Sequence, residues 1–182
     1  IGIIVIERVT VLLNPVAPTS VRKLNQSPLK VGRNFLPATS LCYSLFVNEK
    51  AFITKIHRAL NPCIYKWKIN DPYHGGVPDA YYAGPGAWCF VEYKYAPILP
   101  AKETSKLRLN LSPQQKNWLE TQHDFEIPVF VIAGCEDKAI MTTDFNSINH
   151  HTKKTFLDSA VSISTLITNL EQYCLKGMSI ST

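Results

Sequence analysis

Pro78-Asp79 and Glu92-Tyr93-Lys94 are separated by twelve residues, and together they supply two carboxylates and an amine. These residue types at hairpin distance fit metal-assisted phosphodiester hydrolysis. Asp79 and Glu92 can hold a hard divalent cation, most simply Mg2+ with Mn2+ able to substitute, that polarises a scissile phosphate and acidifies an attacking water. Lys94 can orient that water or offset developing charge. The Tyr93 backbone carbonyl lies between the two functional side chains and can complete the oxygen shell. Glu92 and Lys94, two apart on a strand, share a face. A hairpin connection of two or four residues sets Asp79 opposite Glu92 on that face; three or five sets it on the other face unless a bulge corrects the register. Another Glu-x-Lys, Glu136-Asp137-Lys138, falls in a predicted turn far from Pro78-Asp79 and is set aside.

Two further side chains carry a double reading. Glu49 shares a helical stripe with Phe52, Ile53, Ile56 and Leu60, where an acid calls for a partner such as a metal or its water shell. An acid in a first helical turn also complements the macrodipole without any other role. Gln115 is the third residue of a capping box begun by Ser112, and from a helix start beneath the sheet it can also reach a bound phosphate or the lysine. His57, His74, His123, His150 and His151 show no helical metal spacing and read as surface or loop residues.

These residues need elements to position them. Asn48 caps a helix of about three turns that Asn61-Pro62 stops. Cys63–Ile69 reads as a first strand, and Asn70-Asp71-Pro72 with Gly75-Gly76 as a loop. Ala80-Tyr81-Tyr82 and Trp88-Cys89-Phe90-Val91 flank Gly84-Pro85-Gly86 as a hairpin. A basic, proline-containing loop over 97–110 leads to a helix from Ser112-Pro113 to near His123. Pro128–Ala133 is the apolar run of a buried strand, and Lys138–Phe145 one more strand at an edge. Thr152–Lys176 reads as a C-terminal helix, broken around Ser162–Thr165 and ended by Gly177. Trp67, Tyr81 and Trp88 can stack on bases, though aromatic residues on strands more often belong to the core. The order belongs to an α/β layered domain with a mixed sheet.

Composition narrows the class. The chain has 182 residues, 46% of them apolar, enough for one good-sized core. The apolar stretch Ile1–Leu13 is broken by Glu7 and Arg8, which argues against a membrane span, and it lacks the small-residue cleavage site of a secretory signal. The chain starts at Ile1 without methionine, as a fragment or a ragged translation does. Five cysteines (Cys42, Cys63, Cys89, Cys135, Cys174) are odd in number and form no CxxC, which points away from a disulfide scaffold or zinc knuckle. Basic side chains outnumber acidic ones five to one in residues 1–47 and ten to five in 48–118, and fall to four against eight in 119–182. Lys55, Arg58, Lys66, Lys68, Lys102, Lys106, Arg108 and Lys116 therefore flank the chemical segment, as a phosphate backbone requires and as an ordinary solvated surface also allows.

Gly75-Gly76-Val77-Pro78-Asp79, Phe90-Val91-Glu92-Tyr93-Lys94, Leu111-Ser112-Pro113-Gln114-Gln115-Lys116-Asn117-Trp118-Leu119 and Pro128-Val129-Phe130-Val131 resemble the VRR-Nuc family. That family is a branch of the PD-(D/E)xK nuclease superfamily, known from phage proteins, helicase-associated domains and a eukaryotic crosslink-repair nuclease. The likeness spans about residues 48–135. It implies a restriction-endonuclease-like αβββαβ core over 41–145, with an irregular N-terminal arm over 1–40 and a C-terminal helical extension over 146–182. It assigns Asp79 and Glu92 as metal ligands, Lys94 as catalytic lysine, Gln115 as the family glutamine and Glu49 as the acid of the first helix. Tyr93 stands where the family usually has valine. The implied activity is Mg2+-dependent cleavage of DNA, structure-specific on junctions or flaps, by an intracellular or phage-encoded protein that works as a homodimer. A sequence-specific restriction-type enzyme and a non-catalytic DNA-binding module with the same fold are the alternatives.

Overall fold

Asn48 opens the first helix as its sequence predicts: its Oδ1 accepts the backbone N–H of Ala51 at 2.9 Å, and α1 runs over Glu49–Ala59. The computed structural model describes residues 48–177, so the expected arm over 1–40 and Cys42 lie outside it. The remaining elements are β1 (Tyr65–Lys68), β2 (Ala80–Ala83), β3 (Trp88–Ala96), α2 (Pro113–Asp124), β4 (Val129–Cys135), β5 (Lys138–Thr142), α3 (Lys153–Ser159), β6 (Val161–Ser162) and α4 (Ile163–Lys176), with a 3-10 turn at Ile148–His150. The first six elements follow the expected αβββαβ order.

All six strands form one mixed sheet in sequence order. Only β3 and β4 run parallel, with Glu92 beside Val131 and Lys94 beside Ala133. A parallel neighbour needs a crossover, and α2 provides it. On one face α1 and α4 pack Phe52, Ile56, Leu166 and Leu170 against Tyr82, Val91, Tyr93 and Ile132. On the other, Leu119 of α2, Phe156 of α3 and Leu107, Leu109 and Leu111 of the long loop cover Val129, Val131, Ala133 and Ile140. Covered from both sides, every residue of β4 is buried.

Several expectations shift. β1 is shorter than Cys63–Ile69, while β3 carries Glu92 and Lys94 as expected and ends at Ala96. β5 stops at Thr142 and is not an edge strand, because Lys138 and Ala139 pair with Ser162 and Val161 of β6. The C-terminal helix breaks at Ala160–Ser162, slightly earlier than expected; Ser162 then caps α4 by accepting the Thr165 N–H. Trp67 and Trp88 are 51% and 41% exposed, so they do not belong to the core. Cys63, Cys89, Cys135 and Cys174 are free thiols, and no described helix is long and apolar enough to cross a membrane.

Gly134 lies inside β4, where glycine marks a close approach. A Cβ there would stand 2.5 Å from Cζ of the fully buried Phe52, whose ring also packs edge-on against Tyr93 at 5.9 Å. Gly134→Ala should therefore lower stability by about 1–3 kcal/mol through overpacking. Urea unfolding checks this, and trimming the ring with Phe52→Leu should recover part of the loss.

Candidate active site

The hairpin turn decides whether the site can form. Ala83 pairs with Trp88 and Ala80 with Val91, so the connection is the four residues 84–87. The same register places Asp79 opposite Glu92, the arrangement required for one-face chemistry. Gly86 and Ala87 fix the turn by donating their N–H groups to the Cys174 carbonyl near the end of α4, at 2.9 and 3.0 Å.

Beyond Val91, β3 outruns β2 and its residues 92–96 have no β2 partner. Backbone donors on that edge must find acceptors elsewhere. Asp79 meets one, its Oδ2 accepting the Tyr93 N–H at 2.9 Å. An extended residue directs its N–H and C=O to the same edge, so the Tyr93 carbonyl opens beside Asp79. At the start of α1, Glu49 feels burial first, which raises its carboxyl pKa. The charge of Lys94 and the Tyr95 N–H pull it down, and Asp79 pushes it up. All four sequence-predicted charged residues, Glu49, Asp79, Glu92 and Lys94, thus share one electrostatic neighbourhood.

Glu92 lies at the centre of this neighbourhood, with 1% of its side chain exposed. Its Oε1 accepts from Lys94 Nζ at 2.7 Å and from Gln115 Nε2 at 2.6 Å. Its Oε2 is buried and has no hydrogen-bond partner. Burial, followed by the nearby Asp79 charge, raises the carboxyl to about 7, outweighing the ion pair with Lys94. Buried polar atoms are nearly always paired, and a bare carboxylate oxygen calls for a water or a cation. Gln115 fills its predicted capping role, and its second contact is to Glu92 rather than to a phosphate or the lysine. Its Oε1 accepts the Ser112 N–H at 3.1 Å to close the capping box, while its Nε2 holds Glu92.

The loop before Asp79 is pressed onto the first turn of α2. A Cβ on Gly76, at φ +89°, would stand 2.7 Å from the Gln114 carbonyl, and one on Gly75 would stand 2.8 Å from Gln114 Oε1. At Gly76, where the obstacle is backbone and φ is positive, only glycine permits this approach, which locks Pro78-Asp79 to the helix that carries Gln115. The motif reading did not give these glycines that task, although their place ahead of Pro78-Asp79 was a signal. Also unforeseen is the buried pair of Tyr82 and Tyr93 hydroxyls, 2.6 Å apart behind the site. A partner for the Tyr93 hydroxyl on the neighbouring strand explains how a tyrosine fits where the resembling family usually has valine.

Among the described residues no three His, Cys, Asp or Glu side chains are placed to cage a metal ion. Mg2+ is usually held by one or two carboxylates with substrate phosphates and water completing the shell. The bare Glu92 oxygen, Asp79 and the Tyr93 carbonyl fit such a cation, with Glu49 near enough to feel the same charges.

The basic residues divide by position. Lys106 and Arg108 line a cleft with Ala96 and Leu99 beside the end of β3, and Lys102 is exposed on the same loop. Lys68 is exposed opposite Ala80, next to Asp79. Lys116 follows Gln115 and stands 3.7 Å from Glu120. Lys55 and Arg58 lie on the exposed side of α1, ~9 and ~14 Å along its axis from Glu49. Lys66 instead donates to the Leu60 carbonyl at 2.9 Å, securing the end of α1.

No family model and no curated protein matches the chain. Among solved structures, the chain is similar to Hjc, a Holliday junction resolvase from the archaeal hyperthermophile Archaeoglobus fulgidus. Identity is 14% and the TM-score 0.43, with 68% of this chain and 97% of that chain covered. The likeness to the VRR-Nuc family therefore rests on the motifs themselves.

Without metal, Glu92 should make stability depend on pH. Its carboxyl titrates near 7 when folded and at an ordinary 4.5 when unfolded, so the folded chain binds more protons between those values. Stability should then fall as pH rises from 4.5 to about 7, by on the order of 3 kcal/mol, and level off above. Urea unfolding in EDTA, comparing wild type with Glu92→Gln at each pH, isolates this slope; Glu92→Gln should lack it.

Proposed function

We propose that this chain is a Mg2+-dependent DNA endonuclease acting on branched DNA such as junctions or flaps. The observation that carries the reading is the buried, unpartnered Oε2 of Glu92, on one face with Lys94 and opposite Asp79. A purely structural ion pair has no need to leave a carboxylate oxygen bare beside a second acid.

Asp79, Glu92 and the Tyr93 carbonyl would hold the cation, and Mn2+ would serve in its place. When bound, Mg2+ polarises a phosphodiester and lowers the pKa of an attacking water. Lys94 extends from the same face as Glu92 and orients that water through its ammonium or offsets charge developing on the phosphate. Gln115 acts through Glu92: by holding Oε1, it keeps Oε2 turned toward the cation. Glu49 adds negative charge at the same edge and takes a place among the cation's ligands or their waters. Lys106 and Arg108, beside the end of β3, with Lys102, Lys68 and Lys116, meet the phosphate backbone. Two copies acting together would present two such sites to a branched substrate.

Cleavage of labelled single strand, duplex, 5′ flap, 3′ flap and four-way junction in Mg2+, Mn2+ or EDTA tests the reading. Metal-dependent cutting of a branched substrate is expected. Glu92→Ala and Lys94→Ala should each reduce it by roughly 100-fold or more. Gln115→Ala should reduce it by about 10- to 100-fold. Cutting at one sequence in plain duplex would indicate a restriction-type enzyme. Binding without cutting by folded protein would leave a DNA-binding module.

A further inference from the structure

The face of the sheet that carries Glu92 and Lys94 continues, away from α2, as a bare aromatic surface. Trp67 pairs with Tyr81, and Tyr81 with Phe90, so these side chains share that face; Tyr65 and Trp88, both opposite Ala83, join them. The rings are in contact: Tyr81 with Phe90 at 5.2 Å, Tyr81 with Trp88 at 6.0 Å and Trp88 with Phe90 at 6.1 Å. Trp118 of α2 closes one side, edge-on to Phe90 at 5.6 Å. Beyond it the surface is open, with Tyr65, Trp67 and Trp88 exposed by 62%, 51% and 41%. Side chains this apolar are seldom grouped in water without a partner.

We propose that this aromatic surface binds an unpaired nucleic-acid strand by base stacking and guides it to Glu92 and Lys94. The proposal rests on the nuclease reading for its direction, and its own support is local. Trp88, Phe90, Glu92 and Lys94 follow one another at every second residue of β3, so the stacking surface and the candidate site form one continuous track. From Trp88 to Glu92 the track is ~13 Å long.

The lack of acid suits the same partner. β1, β2 and Trp88–Val91 hold no acid, and Lys94 stands on the same face at the far end of the track, while Lys66 and Lys68 fall on the opposite face, near His57 of α1. An acid-free aromatic face is what a single strand takes, since every base offers a π-face and every nucleotide a phosphate. Duplex bases already stack on one another. Lysines at alternate positions of an edge strand also discourage pairing with a strand from a second copy.

The test is binding in EDTA by the full chain, read by anisotropy of labelled oligothymidylate and of a blunt duplex of equal length, with quenching of tryptophan emission as the stacking signal. Wild type should bind the oligothymidylate with quenching. Trp67→Ala should weaken that binding about tenfold while duplex binding is little changed, and Trp67→Phe should restore most of it. Trp67 is half exposed, so its removal leaves the core intact, as circular dichroism checks. Unchanged single-strand affinity in folded Trp67→Ala overturns the proposal. So does a dimer in sedimentation that dissociates in Trp67→Ala, because a second copy would then own the surface. Cleavage in Mg2+ separates this proposal from the reading it rests on. Cleavage by wild type that shows no quenching with oligothymidylate sinks the surface alone; quenching without any cleavage sinks the nuclease and leaves the surface standing.

Discussion

The arrangement turns on one buried carboxylate with unequal oxygens. Lys94 and Gln115 converge on Oε1 of Glu92, and Oε2 has nothing. Holding a carboxyl in so dry a place is unfavourable for its charged form, which is why its pKa rises despite a lysine at 2.7 Å. An oxygen left bare there calls for a water or a cation, and the open edge of β3 beside Asp79 is where either can arrive.

Several features of the fold serve that carboxylate. The four-residue turn sets Asp79 opposite it, and the Cys174 carbonyl holds that turn. Because β3 and β4 run parallel, the chain needs a crossover, and the crossover helix begins with Gln115 against Glu92. Gly75 and Gly76 press the preceding loop onto the same helix start. Behind the strand, the Tyr82–Tyr93 hydroxyl pair fills the space at Tyr93, and Gly134 makes room for Phe52. Apart from the hairpin register and the Tyr82–Tyr93 pair, each contact crosses between elements distant in sequence, so much of the site's geometry is a property of the tertiary structure.

Local signals survived in the sequence and long-range ones did not. Asn48 and Ser112 announced α1 and α2 because capping involves only the next three residues. The hairpin register could be stated in advance as a condition, because the side-chain period in a strand is two and a turn has a countable length. The motif placed Glu92 and Lys94 on β3 in advance, although they interrupt the apolar pattern that marks the rest of the strand. The break before α4 was placed late because β6, a two-residue strand, forms only through pairing with β5. Trp67 and Trp88, read as more often core, are exposed because how far α2 reaches across the sheet is set by the tertiary structure. The composition of the site was legible, but Gln115's grip on Glu92 was not, because the sequence reading aimed its side chain at a phosphate or the lysine.

A titration of the metal-free protein with Mn2+, by calorimetry or paramagnetic resonance, in wild type and in Glu92→Gln, bears most directly on the claim that the bare oxygen awaits a cation. The account predicts saturable binding by wild type, weakened at least about tenfold in Glu92→Gln with the fold intact. Equal binding by both chains, or no saturable binding by folded wild type, would contradict it.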